Sequence, residues 1–215
     1  MTKQLPNALP LLEANPIVPV VVIDDAADAV DTAKALVAGG IGVAEVTFRT
    51  AAGGDAIAAM KDVEGMTVGA GTVLNGEQAT KAIDLGAHFL VSPGWNEDIA
   101  DVAIDRNIPY LPGVQTATEV MMALKFGAKV VKFFPGGEAG GLKMVKALRG
   151  PFNSTFFLPS GGVNQDNLAE WVSYEGIAAV SGSWVAKRAL INDHNFAEIT
   201  RIAKLATDTV KEIRK

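Results

Sequence analysis

The sequence repeats one unit along its length: a short β-branched or apolar segment, a turn rich in Gly, Pro, Ser or Asn, and an alanine-rich helical pattern. Strands are predicted on this basis at 17–23, 43–48, 67–70, 89–92, 110–113, 130–134, 155–158 and 178–180. Helices are predicted at 26–38, 54–61, 77–85, 97–106, 117–126, 142–148, 165–172 and 196–215. Strands that alternate with helices indicate a parallel sheet covered by helices.

The number of units decides between two architectures. Eight β-α units in 215 residues predict an α/β chain with one compact domain, residues 1–215, folded as a (β/α)8 TIM barrel. An open doubly wound sheet is the alternative, since it accepts the same strand sequences. The first strand is followed by residues 24–27, DDAA, rather than by Gly-x-Gly-x-x-Gly, so dinucleotide binding is not favoured.

Composition limits the class of ligand. The formal net charge of −5 does not attract nucleic acid or an anionic membrane, so neither partner is expected and a small molecule is favoured. The absence of cysteine excludes disulfides, thiolate nucleophiles and Cys-ligated zinc. Residues 1–7 hold no long apolar segment, and no segment approaches the roughly 20 apolar residues that span a bilayer, so a cytoplasmic protein is expected.

Lys132 is the residue that is hardest to explain without chemistry, because it lies in the apolar segment 130–135, VVKFFP. Burying an unpaired ammonium is costly, and the usual escape is loss of the proton to give a neutral amine. A neutral amine forms Schiff bases with ketones and aldehydes, which predicts covalent catalysis on a carbonyl substrate. The alternative is a lysine whose stem is buried while its ammonium reaches solvent.

Polar residues gather where the carboxyl ends of the strands should meet, which is where barrels of this type carry their sites. Glu45, Thr47 and Arg49 share one parity on the second strand, so their side chains are predicted to point to one face. The other residues at this end are Thr72, Pro93, Lys132 and Phe134. Together they predict one pocket. The alternative for Glu45 is a structural ion pair, for example with Arg49.

Two glycine-containing loops predict a phosphate site. Segment 160–163, SGGV, leads into a helix predicted from Asn164, and segment 181–184, SGSW, follows the eighth strand. Paired glycines let backbone N–H groups approach a ligand, and a helix N-terminus adds partial positive charge. The loops after strands seven and eight often bind phosphate in this fold.

Seven ordered segments resemble the bacterial 2-keto-3-deoxy-6-phosphogluconate aldolases. They are 43–49 (VAEVTFR), 69–74 (GAGTVL), 90–94 (LVSPG), 111–114 (LPGV), 131–135 (VKFFP), 158–163 (LPSGGV) and 182–184 (GSW). The resemblance runs from about residue 11 to the final helix. It implies a class I aldolase on a small (β/α)8 barrel, a homotrimer, with no cofactor and no metal, that cleaves the phosphorylated keto sugar acid to pyruvate and glyceraldehyde 3-phosphate.

The same resemblance implies a role for each matching residue. Lys132 falls on the Schiff-base lysine, Glu45 on the general acid/base, and Arg49 with Thr72 on the positions that hold the pyruvate carboxylate. The remaining substrate-binding positions are the wall residues Pro93 and Phe134 and the loop residues Ser160, Gly161, Gly162, Gly182 and Ser183. The implied mechanism is attack of Lys132 on the C2 ketone, cleavage of the C3–C4 bond assisted by Glu45, and protonation of the remaining enamine.

Two departures from the family pattern affect substrate preference. Ser160 stands where the family usually has threonine, and Gly136, Gly137 and Glu138 stand where many members have an Ala-Glu pair. They leave open the choice between the gluconate and galactonate substrates. They also leave open 4-hydroxy-2-oxoglutarate, a shorter substrate without phosphate.

Other reaction classes explain fewer residues. A zinc-dependent aldolase needs about three ligands, mostly His or Cys, and the only histidines are His88 and His194. Magnesium held by carboxylates stays open. A non-covalent sugar-phosphate isomerase or epimerase would leave Lys132 unexplained, and a barrel that only binds a sugar phosphate would not need Glu45, Arg49 and Lys132 together.

Overall fold

A computed structural model describes residues 4–214. Within this range the chain forms nine strands: β1 Ile17–Val21, β2 Val43–Thr47, β3 Thr67–Gly71, β4 Leu90–Val91, β5 Tyr110–Leu111, β6 Gly113–Val114, β7 Val130–Phe133, β8 Phe156–Pro159 and β9 Val180–Gly182. The α-helices are α1 Leu9–Ala14, α2 Ala29–Ala38, α3 Gly53–Met60, α4 Gly76–Asp84, α5 Glu97–Asp105, α6 Ala117–Lys125, α7 Gly141–Arg149, α8 Leu168–Val172, α9 Arg188–Asn192 and α10 Phe196–Ile213. A 3₁₀ turn, Ala26–Asp28, precedes α2.

The strands pair in parallel, which confirms the α/β class and the parallel sheet. They form a six-stranded sheet in the order β5-β4-β3-β2-β1-β9 and a three-stranded sheet in the order β6-β7-β8. The strands therefore form two sheets rather than the predicted continuous barrel of eight strands. Isolated parallel bridges link them on one side, between Phe157 and Ile177 and between Ser160 and Ser181.

The break on the other side lies in the predicted strand 110–113, which the structure divides into β5 and β6 at Pro112. Proline has no backbone N–H and cannot donate to a strand ladder. Its carbonyl still accepts from the backbone N–H of Lys132, at 2.8 Å. The chain thus passes from one sheet to the other across a single residue.

The final helix packs on the outside of the sheets, as its periodicity predicted. Thr200 and Thr207 of α10 donate side-chain hydrogen bonds to the carbonyls of Ala35 and Gly39, at 3.0 and 3.1 Å. A side chain at Gly39 would overlap Ala203 of α10, so glycine permits this close approach. Lys215, at the end of the predicted helix, lies outside the described residues, as does the start of the segment 1–7.

The helix predictions differ from the structure at three places. Helices α1 and α9 were not predicted, since each is short and has too few turns to show a period. The helix predicted at 165–172 begins only at Leu168. Asn164 accepts hydrogen bonds from the backbone N–H groups of Asp166 and Asn167 at 2.9 and 3.2 Å, which holds 164–167 as a turn. The loop 160–163 therefore does not lead directly into a helix N-terminus. Within residues 4–214 no helix is both long and apolar enough to cross a membrane.

Candidate active site

A buried ion pair joins the two sheets across the interior. Lys132 on β7 places Nζ 3.1 Å from Oε1 and 3.4 Å from Oε2 of Glu45 on β2. Lys132 is 6% exposed and Glu45 is 1% exposed. The predicted burial of Lys132 is confirmed, with a carboxylate partner that was not predicted for it, and the alternative in which its ammonium reaches solvent was wrong. A buried ammonium is tolerated here because a carboxylate from the facing sheet compensates its charge.

The Glu45 carboxylate has one more hydrogen-bond partner, and a neighbouring glycine leaves space for it. The Ser181 hydroxyl on β9 donates to Oε2 at 3.4 Å. On the neighbouring strand β3, a Cβ atom at Gly71 would overlap the Glu45 side chain, so glycine provides the room that the carboxylate needs. Arg49, the sequence candidate for an ion pair with Glu45, is instead exposed beyond the end of β2.

The pair combines a potential nucleophile with a proton acceptor. Transfer of one proton from Nζ to Glu45, over 3.1 Å, leaves a neutral amine and a neutral acid. The Phe134 ring lies 5.5 Å from Nζ and attracts the amine when it is charged. Such an arrangement supports attack on a carbonyl carbon followed by proton transfers at neighbouring atoms.

A pocket of about 200 Å³ brings together most of the predicted substrate-binding residues. It is lined by Val20, Arg49, Phe134, Ser160, Gly161, Gly162, Val163, Gly182 and Ser183. The cationic Arg49 and the two predicted loops therefore meet in one place. An anionic ligand suits this lining.

The loop after β8 reaches the pocket in a conformation that requires glycine. Gly161 and Gly162 have φ angles of +88° and +76°, a backbone region that residues other than glycine rarely adopt. The loop is anchored from behind, because Gly136 and Gly137 donate backbone hydrogen bonds to the carbonyls of Ser160 and Gly161 at 2.7 and 3.0 Å. The 136–137 segment, a departure from the family pattern, thus supports the loop directly.

The prediction of one shared pocket is only partly met, because Glu45, Lys132, Thr72 and Pro93 do not line this pocket. Thr72 and Pro93 lie at the same edge of the sheet. Thr72 has a φ of +56°, which is an outlier for a β-branched residue and a sign of a constrained site. Pro93 follows Ser92, whose hydroxyl lies 2.6 Å from that of Tyr110. Burial raises the pKa of Tyr110 well above its usual range, so this phenol stays a neutral hydrogen-bonding group that holds the loop.

Three residues of the site were not predicted. Val20 and Val163 line the pocket with apolar surface, and no sequence pattern distinguishes them from core valines. Ser181 was placed in a loop after the eighth strand, whereas it lies within β9 and contacts Glu45. If the predicted strand had been extended to include Ser181, the alternation of side chains along it would have indicated that Ser181 points inward.

Comparison with known proteins agrees with this geometry. The model of the family described as "KDPG and KHG aldolase" matches residues 10–202. The KHG/KDPG aldolase of Escherichia coli K12 is 38% identical over 206 residues, covering 95% of this chain and 97% of the relative. The 2-dehydro-3-deoxy-phosphogluconate aldolase of Treponema pallidum is 41% identical over 194 residues, covering 90% and 92%.

Solved structures give the same result. The 2-keto-3-deoxy-6-phosphogluconate aldolase of Zymomonas mobilis with 3-phosphoglycerate is 40% identical, with a TM-score of 0.88 over 92% of this chain and 93% of that one. The KDPG aldolase of Legionella pneumophila, with pyruvate captured as a covalent carbinolamine, is 36% identical, with a TM-score of 0.90 over 93% and 98%. The chain therefore belongs to the KDPG and KHG aldolase family.

Proposed function

We propose that this chain cleaves 2-keto-3-deoxy-6-phosphogluconate to pyruvate and glyceraldehyde 3-phosphate, with Lys132 as the Schiff-base residue. The observation that carries the proposal is the buried Lys132–Glu45 pair, 3.1 Å apart, in a chain whose Arg49 and glycine loops line a pocket suited to an anion. Phe134 connects the two, because it lines the pocket and its ring lies 5.5 Å from Nζ of Lys132. The family membership supports the same chemistry.

In the proposed mechanism Glu45 accepts a proton from Lys132, and the neutral amine attacks the C2 ketone. Glu45 then returns this proton to the hydroxyl of the carbinolamine, so water leaves and an iminium forms. The iminium withdraws electrons from the C3–C4 bond. Glu45 takes the proton of the C4 hydroxyl, so the bond breaks, glyceraldehyde 3-phosphate leaves and the enamine of pyruvate remains. Protonation of the enamine at C3 by Glu45 and hydrolysis of the iminium then release pyruvate.

The remaining residues are proposed to bind substrate. Arg49 and Thr72 hold the carboxylate, and Pro93 and Phe134 form walls around the keto acid. The phosphate is held by five of the residues that line the pocket, Ser160, Gly161, Gly162, Gly182 and Ser183. The glycines support this assignment because their backbone approaches the pocket without a side chain.

We also propose that the two sheets form one closed (β/α)8 barrel in a single domain. Support comes from the bridges between β8 and β9, from the single residue between β5 and β6, and from the Lys132–Glu45 pair across the interior. A homotrimer in the cytoplasm is the proposed assembly and location. Light scattering coupled to size exclusion would test the trimer, and a monomeric mass would contradict it.

Borohydride reduction in the presence of pyruvate is the direct test of the covalent step. We expect a pyruvate adduct on Lys132, located by mass mapping of peptides. Aldolase activity that persists in excess chelator would exclude the alternative of magnesium held by carboxylates. A folded protein that gives no adduct would contradict the Schiff-base mechanism and favour the isomerase or binding-only alternatives.

Ser183→Ala tests the phosphate end of the site. Loss of one hydrogen bond to a charged group is expected to raise KM for the phosphorylated substrate about tenfold or more. Cleavage of 4-hydroxy-2-oxoglutarate to pyruvate and glyoxylate, which involves no phosphate, should change little. The control is Ser173→Ala, which removes an exposed hydroxyl whose single hydrogen bond within residues 4–214 goes to the Ala169 carbonyl of α8. Equal losses with both substrates would argue against a phosphate role for Ser183. The same assay can compare the gluconate substrate with its C4 epimer, the galactonate compound.

Gly71→Ala tests the room that Glu45 needs. The added methyl would overlap the carboxylate, so we expect a loss of about 1–3 kcal/mol in the free energy of unfolding and a lower specific activity of the folded enzyme. Gly69→Ala is the comparison, because its methyl would overlap the buried Phe89 ring rather than the Glu45 side chain and so adds similar strain without touching the carboxylate. If both variants kept the same specific activity, the position of Glu45 would not depend on Gly71. Thermal denaturation and steady-state kinetics provide the two measurements.

A further inference from the structure

We propose that Ser181 is a positioning residue for Glu45, and that it holds the carboxylate in place while Lys132 is covalently occupied. This inference rests on the proposed function. Its starting observation is the 3.4 Å contact between the Ser181 hydroxyl and Oε2 of Glu45. The two side chains reach each other across β1, which lies between β2 and β9 in the six-stranded sheet.

The surroundings of Ser181 leave its hydroxyl one role. The residue is completely buried, and among residues 4–214 its hydroxyl makes no other side-chain hydrogen bond than the one to Glu45. An ionised carboxylate can only accept, so Ser181 must donate. Its backbone is held on both sides, by pairing with Val18 of β1 and by the bridge to Ser160. The backbone therefore keeps the hydroxyl within reach of one oxygen of the carboxylate.

Chemistry at Lys132 makes this donor more important during turnover than at rest. At rest the ammonium of Lys132 lies within hydrogen-bond distance of both oxygens of Glu45. Once Nζ has become an iminium or enamine nitrogen, it carries a single hydrogen. Ser181 takes no part in the covalent change and keeps its contact. It then fixes Oε2 so that Oε1, the oxygen nearer Nζ, can exchange protons with the substrate.

Protonation of the pyruvate enamine is the step that this geometry should affect most. The O–H bond of neutral Glu45 breaks and a C–H bond forms at C3. The electron pair of the enamine C=C bond makes that C–H bond, while the nitrogen lone pair forms the C=N bond of the iminium. Glu45 is left as the carboxylate that Ser181 stabilises. In reverse, the same step exchanges the methyl hydrogens of pyruvate with solvent.

Exchange of the pyruvate methyl hydrogens in D₂O, followed by proton NMR, tests the proposal. Because the contact is with a charged group but is long, at 3.4 Å, Ser181→Ala is expected to slow exchange about threefold or more. Ser181→Cys keeps the size with a weaker donor and should fall between wild type and alanine. The control is Thr155→Val, which deletes another buried hydroxyl. Thr155 immediately precedes β8, and its hydroxyl has no hydrogen-bond partner in the described part of the chain. This variant should exchange at the wild-type rate.

Borohydride trapping separates positioning from packing. We expect each variant to form the Lys132 adduct with the same half-saturating pyruvate concentration as wild type, since Ser181 does not act on Lys132 directly. Wild-type exchange rates in both Ser181 variants, or equal losses of trapping and exchange, would overturn the proposal. If circular dichroism shows that Ser181→Ala is unfolded, the proposal is judged on Ser181→Cys by the same criteria. A wild-type protein that forms no adduct would overturn the proposed function instead.

Discussion

Lys132→Ala is expected to lower aldolase turnover by about four orders of magnitude or more, because it removes the atom that forms the covalent bond with substrate. Borohydride trapping with pyruvate should be lost in the same variant. Steady-state kinetics on the phosphorylated keto acid and mass analysis provide the measurements. Lys129→Ala is the matched control, because Lys129 is exposed immediately before the same strand and should be dispensable. Retained aldolase activity in Lys132→Ala would contradict the covalent mechanism.

The same substitution has a consequence for stability. Removing Lys132 leaves the Glu45 carboxylate buried without its cation, and breaking a buried pair in this way costs about 3–5 kcal/mol. The double variant Lys132→Met/Glu45→Gln removes both charges and should be more stable than Lys132→Ala, although equally inactive. Denaturant unfolding of the two variants would test this order. The comparison also separates loss of chemistry from loss of fold, since a stable double variant shows that inactivity does not come from unfolding.

Glu45→Gln is expected to lower kcat by about 10² to 10⁴, the range for loss of a general acid/base. The amide keeps the shape of the side chain and an acceptor for Lys132, but it cannot take up and return protons. Because Glu45 also accepts the proton of Lys132 before attack, we expect the pyruvate adduct on Lys132 to be trapped more slowly but not to be lost. Exchange of the pyruvate methyl hydrogens in D₂O should be slowed by a similar factor, since that reaction depends on proton transfer alone.

The control for this substitution is Glu64→Gln, an exposed glutamate that precedes β3. It should leave both exchange and aldol cleavage unchanged. Exchange at the wild-type rate in Glu45→Gln would remove Glu45 from the acid/base role and point to another proton carrier. Loss of trapping together with exchange would mean that Glu45 acts mainly by accepting the proton of Lys132 before attack. Trapping and exchange together thus show whether Glu45 acts in forming the Schiff base or in protonating the enamine.

Much of the fold was readable from local patterns. Alternation of β-branched segments with alanine-rich helices predicted the parallel strands and the final helix, because both depend on periods of a few residues. Prediction failed where local sequence is ambiguous. The turn 164–167 forms because an asparagine side chain competes for backbone N–H groups, and the break at Pro112 depends on which strands lie beside it.

Local sequence limits the possible chemistry, because it places Lys132 at the centre of an apolar strand and puts Glu45 and Arg49 on one face of a second strand. The choice of partner for Glu45 depends on the tertiary fold. Glu45 pairs with Lys132, 87 residues away, rather than with Arg49, four residues away, and Ser181 reaches the same carboxylate from 136 residues away. Side-chain parity within a strand is local, whereas contacts across the interior depend on how the two sheets pair, curve and face each other.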